Sequence, residues 1–264
     1  MQSKKTAIIY ILISTLLFGA SAPLAKLLLG AIQPVMLAAL LYLGSGFGLL
    51  IYKLILHAFG RKAGREAGMK RGDFPWLIGS VLAGGVGAPV VLMFSLKSTP
   101  ASTASLLLNF EGVATALIAG FAFHEAIGKR IWLAVALITT ASIILSLNVT
   151  GSWGFSIGSL GILGACFLWG IDNNFTRNIS LKNPLDIVIV KGIAAGSFSF
   201  VLALTVGNRL PGFHATLFSL ALGLLSYGLS IVFFILAMRD LGSARTSAYF
   251  ASAPFIGMAI SYPS

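Results

Sequence analysis

Acidic residues are scarce: the 264-residue chain holds seven Asp and Glu against 18 Lys and Arg. Charge of either sign makes up only 9% of it and apolar residues 57%, where a soluble domain is about 25% charged. A water-soluble fold is excluded, and so is disorder, which needs low hydrophobicity. The basic residues are too few and too scattered through apolar sequence to form a nucleic-acid surface. Cysteine is nearly absent, and Cys166 alone permits no internal disulfide. His57, His124 and His214 lack metal-ligand spacing, and no P-loop pattern occurs. Neither ATP drive nor a cofactor or metal is therefore expected. No histidine lies inside an apolar run to serve as a base, so an intramembrane serine enzyme fails as well.

Long apolar runs are what the chain has instead. Stretches near the roughly 20 residues that a span requires fall at 6–29, 34–56, 74–96, 102–123, 131–148, 158–179, 185–207, 215–238 and 244 to about 260. The expected class is an all-α integral membrane protein with nine transmembrane helices. The first run has features of a signal peptide, with Lys4 and Lys5 ahead of Gly19-Ala20-Ser21-Ala22. Pro23 just past that point, and apolar sequence continuing to Leu29, favour a span. With the N-terminus cytoplasmic, fourteen basic residues fall inside: Lys4, Lys5, six between Lys53 and Arg71, Lys129, Arg130, Arg177, Lys182, Arg239 and Arg245. Only Lys26, Lys97 and Arg209 fall outside. This asymmetry is the positive-inside signature.

The chain also repeats itself. Phe18-Gly19, then Lys26, then Pro34 is echoed by Trp169-Gly170, then Arg177, then Pro184. Lys97-Ser98-Thr99-Pro100-Ala101 lies over Arg239-Asp240-Leu241-Gly242-Ser243. The units are 1–150, with five helices, and 151–264, with four. An odd number of helices per unit turns the second copy upside down, and inverted halves suit alternating access around a site at the midplane. Gly44 and Gly48, and again Gly192 and Gly196, have the GxxxG spacing that lets membrane helices pack closely.

The sequence resembles the drug/metabolite transporter superfamily, and within it the EamA-type permeases. The resemblance rests on Phe18-Gly19 with Lys26, on Asn109-Phe110-Glu111-Gly112-Val113 leading to His124-Glu125, and on Trp169-Gly170-Ile171-Asp172-Asn173-Asn174 running to Arg177. Ala244-Arg245-Thr246, Tyr249-Phe250 and Ala253-Pro254-Phe255 complete it. It implies ten helices in two five-helix repeats around a central cavity, and ATP-independent movement of small metabolites, often outward. One departure follows. The counterpart of Glu125 would fall beyond Ser264, so the tenth helix is missing from the expected inverted repeat. The fifth helix would then leave an apolar face for lipid or another subunit, a homodimer included.

Ionisable groups within a bilayer are costly and mark function by default. Glu111 falls near mid-depth, as a proton carrier or the partner of a cationic substrate; packing is the alternative. Asp172 and Lys191 come out at similar depth, roughly 9 Å from the cytoplasmic edge by helix rise, on consecutive antiparallel helices. They are expected to pair, whether for transport or for structure. Asn109, Asn173, Trp169 and Tyr249 are candidates for the pathway lining, while Asn174 reads as helix glue. Lys26 and Arg177 hold matched positions near opposite faces, as gate contacts or as snorkelling cations. The expected function is a secondary transporter in a bacterial-type inner membrane, exporting a small polar or amphipathic metabolite with proton coupling or by facilitation. A truncated or accessory membrane protein that does not transport is the alternative.

Overall fold

The computed structural model describes residues 4–59, 67–96, 99, 107–148, 154–253 and 256. The described residues are almost wholly helical. Helices α1 (Lys4–Gly19) and α2 (Ser21–Leu28) lead to α3 (Pro34–Ala58). A 3-10 turn (Arg71–Asp73) precedes α4 (Phe74–Ser80), a π segment π1 (Val81–Gly87) and α5 (Ala88–Leu96). Helices α6 (Phe110–Phe121) and α7 (Lys129–Ser146) follow, then two paired strands of two residues each, Leu147–Asn148 and Gly154–Phe155. Beyond them stand α8 (Ile157–Ile179), α9 (Pro184–Thr205), α10 (Phe213–Leu222), a second π segment π2 (Gly223–Leu229), α11 (Ser230–Leu241) and α12 (Ser243–Phe250).

Local chemistry sets several of these boundaries. Pro34 and Pro184 open α3 and α9 at the first turn, where the missing N–H costs nothing. Asn183 caps α9 by accepting from Leu185 N at 3.0 Å. The first expected span is two helices rather than one. Pro23 has no N–H to continue the α1 ladder, and the chain turns at Ala20. Gly242, at φ +80°, separates α11 from α12 in a conformation that favours glycine.

Among the described residues, four helical stretches are long and apolar enough to cross a membrane: Pro34–Ala58, Arg71–Leu92, Pro184–Thr205 and Phe213–Leu241. At 23 residues α8 has the length, and Asp172-Asn173-Asn174 lowers its hydropathy. Residues 101–106 and 257–264, which begin the fourth expected span and extend past the ninth, lie outside the described residues. Apolar side chains face outward along helical rows, as with Ile9, Leu12 and Leu16 on α1 and Leu133 and Leu137 on α7. Lipid is the solvent that suits such rows.

The interior is closed by small residues that bring backbones together. Helix α3 crosses α9 where Gly46 meets Gly192, and a Cβ on either glycine would come within 2.6 Å of backbone nitrogen on the partner helix. The Gly44/Gly48 pair faces a different neighbour, seating against Leu220 of α10 and Leu224 of π2. Helix α1 packs on α11 and π2, and α8 packs on α4, π1 and α5. Ser14 Oγ donates to Ser230 O at 2.8 Å, and Ser230 Oγ returns a bond to Ser14 O at 3.0 Å. The two π segments stand 142 residues apart, the same offset that aligns Lys97 with Arg239. If the α3–α9 crossing depends on bare glycine, Gly192→Val should cost about 3 kcal/mol through overpacking. Thermal unfolding in detergent will show it as a lowered midpoint, with Gly68→Val, facing open space in a loop, as the comparison.

Candidate functional site

Two polar clusters share a single turn of α8. Asp172 and Thr176, four residues apart, lie on one face, and Thr176 Oγ1 donates to Asp172 Oδ1 at 3.0 Å. Lys191 of α9 completes this cluster, its Nζ 2.5 Å from Asp172 Oδ1 and 3.1 Å from Thr176 Oγ1. Both charged side chains are 12% exposed. Asn173, the next residue, turns towards α6, where its Nδ2 donates to Glu111 Oε1 at 2.9 Å and to Thr115 Oγ1 at 3.1 Å. Thr115 sits one turn after Glu111 and returns its hydroxyl proton to the Glu111 carbonyl at 2.8 Å.

The clusters differ in how charge is met. Asp172 has an ammonium and a hydroxyl, so the pair is close to neutral, and burying it costs less than burying either ion alone. Glu111 has an amide donor and no cation bonded to it among the described residues. A carboxylate held by a neutral donor can bind or release a proton, or accept a cation, without first dismantling an ion pair.

Trp169, one turn before Asn173, donates its indole N–H to Gly84 O in π1 at 3.0 Å. The π segment frees that carbonyl, and Gly84 leaves room for Asp172: a Cβ there would fall on the Asp172 carboxylate. Asn174 holds helices together, donating to Thr115 O at 3.0 Å and Gly170 O at 2.9 Å. Asn109 immediately precedes α6, with its Oδ1 buried and without a hydrogen-bond partner among the described residues. Tyr249 is 46% exposed on α12, and no hydrogen bond described joins it to either cluster. Arg177 lies at the end of α8 and donates to Ser180 Oγ at 3.3 Å. Lys26 belongs to α2, and its side chain lies outside the described residues.

Thr115 and Thr176 are members that residue-by-residue reading passed over. Their signal was available: each stands four residues after an intramembrane acid, on the same helix face. Tyr42 and Tyr227, with ring centroids 5.6 Å apart, line a cavity of about 170 Å³ together with Leu37, Leu41 and Pro34.

The family model described as the EamA-like transporter family matches residues 5–147 and again residues 156–263. The chain belongs to the EamA-like transporter family. It is thus an integral membrane protein of a transporter family. An uncharacterized transporter of Methanothermobacter thermautotrophicus is 27% identical over 266 residues, covering 94% of this chain and 76% of that protein. A solved structure, titled only as a crystal structure of a protein, matches with a TM-score of 0.73 at 20% identity. The match covers 98% of this chain and 88% of the other, and it is a likeness of fold.

The buried pair makes a sharp thermodynamic expectation. Lys191→Met or Asp172→Asn alone should cost about 3 kcal/mol by leaving a buried partner uncompensated. The double substitution Asp172→Asn, Lys191→Met should recover most of that loss. Thermal unfolding of the four proteins in detergent forms the cycle, and additive losses would show that the two side chains do not act as a pair.

Proposed function

We propose that this chain is a secondary transporter that moves a small polar or amphipathic metabolite outward by alternating access, coupled to protons through Glu111. The observation that carries this reading is the placement of Glu111–Asn173–Thr115 beside Asp172–Lys191–Thr176, from consecutive residues of α8. Polar groups of this kind inside a membrane mark a substrate or ion path. In the mechanism, Glu111 exchanges its proton as the site changes sides. Asn173 and Thr115 hold its carboxylate in place, and the Asp172–Lys191 pair offers opposite charges to a polar substrate. Asn109 and Trp169 complete the lining of the path, with Tyr249 at its exposed margin and Lys26 and Arg177 towards its two ends.

Two inverted units, 1–150 and 151–264, with nine spans between them, account for the packing. The contact of α1 with α11 and π2 has its counterpart in the contact of α8 with α5 and π1. Helix α3 likewise packs on π2 where α9 packs on π1. Repeat-related halves of this kind can rock about a central site. The positive-inside distribution of the basic residues supports a cytoplasmic N-terminus, in this reading within a bacterial-type inner membrane.

The test is proton flux into proteoliposomes that carry a trapped pH-sensitive dye. The native chain should acidify or alkalinise the lumen under an imposed pH gradient. Glu111→Gln keeps the shape and the hydrogen bond from Asn173 but cannot release a proton, so flux should drop at least about tenfold, one decade per 1.4 kcal/mol of barrier. Equal flux from the two proteins would assign Glu111 to packing.

A further inference from the structure

A second polar device lies at the other end of α6, away from Glu111. The chain leaves α6 at Phe121 and passes through His124, the one non-glycine residue with positive φ (53°) among the described residues. Left-handed backbone is uncommon at a residue with a Cβ and clusters where a neighbour must be aimed. The neighbour here is Glu125. Its Oε2 accepts from Ser243 N at 3.1 Å and Ser243 Oγ at 2.9 Å, and its Oε1 accepts from Ala244 N at 3.3 Å. The carboxylate therefore caps α12, meeting N–H groups that the helix itself leaves unbonded. Gly242 makes the seat, because a Cβ at that position would fall on Glu125 Oε1.

Two features make this cap releasable. Ser243 Oγ stands 2.9 Å from Glu125 Oε2 and equally 2.9 Å from Asn174 Oδ1. A hydroxyl carries one proton, so when the carboxylate leaves, that proton passes wholly to Asn174 and Ser243 is not stranded. The second feature is a waiting partner. Glu125 and Arg177 line the same cleft of about 310 Å³, together with Phe123, Asn174, Asn178 and Leu181. The hydrogen bond described for the Arg177 guanidinium is the 3.3 Å contact to Ser180 Oγ.

We infer that Glu125 is a two-position latch: seated on the α12 N-terminus it seals the seam between α6 and α12, and moved to Arg177 it opens that seam. The inference rests on the alternating-access reading above. In the closed position Glu125 joins the end of α6 to the α11–α12 junction, and Ser243 extends the link to α8 through Asn174. In the open position the Arg177 fork takes the carboxylate bidentately, and water entering the cleft takes the Ser243 and Ala244 N–H groups. The latch thus trades one set of charge-assisted hydrogen bonds for another, as a bistable element requires.

Ser247, one turn beyond Ser243 on α12, is 4% exposed, and its Oγ has no hydrogen-bond partner among the described residues. Ser247→Cys in a Cys166→Ala background is therefore a quiet reporter. Its reaction rate with a charged thiol reagent, measured in detergent, reads the seam. Adding Glu125→Gln should raise the rate about tenfold, the scale of losing a charge-assisted hydrogen bond. Adding Arg177→Gln should lower it below the parent, because the open position loses its partner. A second reporter, Ala195→Cys on α9, buried away from the seam, should not respond to either change. An unchanged rate with Glu125→Gln, a rate raised or unmoved by Arg177→Gln, or a parallel rise at the second reporter would each overturn the latch. The labelling needs no substrate or proton gradient. A chain that shows the latch pattern but no proton flux refutes the transport reading alone, and the reverse result refutes the latch alone.

Discussion

A polar group inside a bilayer has no water to turn to, and the arrangement around α8 follows from that constraint. Asp172, Asn173, Asn174 and Thr176 fall within five consecutive positions, and apart from Asp172 and Thr176, which share a face, they point from the helix in different directions. Each must find its partner on whichever helix lies there. Asp172 and Thr176 find Lys191 on α9, Asn173 finds Glu111 and Thr115 on α6, and Asn174 finds Thr115 O and Ser243. One turn of helix therefore fixes the positions of α6, α9 and α12 relative to one another. Apolar packing between such helices lacks the specificity to do this, since lipid tails are as apolar as leucine.

Glycine supplies the complementary half of the scaffold. Where α3 crosses α9, Gly46 against Gly192 brings the backbones together, and an ion pair between Lys53 and Asp186 joins the same two helices away from the crossing. The consequence is a division of labour across the molecule. The α3–α9 face has backbones in contact and few routes to rearrange. The α6–α8–α12 side is held by side-chain hydrogen bonds, which can be exchanged one at a time. Rearrangement would cost less on the second side, and both Glu111 and Glu125 are there.

The class of protein and the intramembrane charges were legible from composition and spacing, because burying charge in hydrocarbon leaves so few to consider. Pairing of Asp172 with Lys191 followed from equal depth on consecutive antiparallel helices. Other features left no such mark. A π segment changes the hydrogen-bond ladder without changing composition, so 81–87 reads as ordinary apolar helix. Thr115 and Thr176 look like neutral helix residues until their acids are placed one turn away. Glu125 reads as a loop acid after the fourth helix, and its role is set by residues more than a hundred positions later, Gly242 and Ser243. The break at Ala20 was marked by Pro23, yet the apolar run across it hid the mark.

Phe18 and Trp169, which echo each other in the sequence, stand in different chemistry. Trp169 of α8 donates to Gly84 O of π1, so the helix supplies the proton and the π segment the acceptor. Phe18 has no proton to give. On that side Ser226 of π2 donates to Leu17 O of α1 at 2.8 Å, and the direction of the bond is reversed. The two seams are closed by equivalent contacts made with opposite chemistry. Around Phe18 the neighbours are the rings of Tyr227 and Phe250, with centroids 5.4 Å and 4.9 Å away, whereas around Trp169 stand Glu111, Asn173 and the Asp172–Lys191 pair in the adjoining turns. A symmetric scaffold lets two halves exchange positions at little cost. On the alternating-access proposal, an asymmetric lining would make the exchange chemically consequential, because a proton or substrate held by Glu111 would meet aromatic surface on one side and hydrogen-bonding partners on the other. Identical linings would hold the cargo equally in both states, and equal binding shifts no equilibrium.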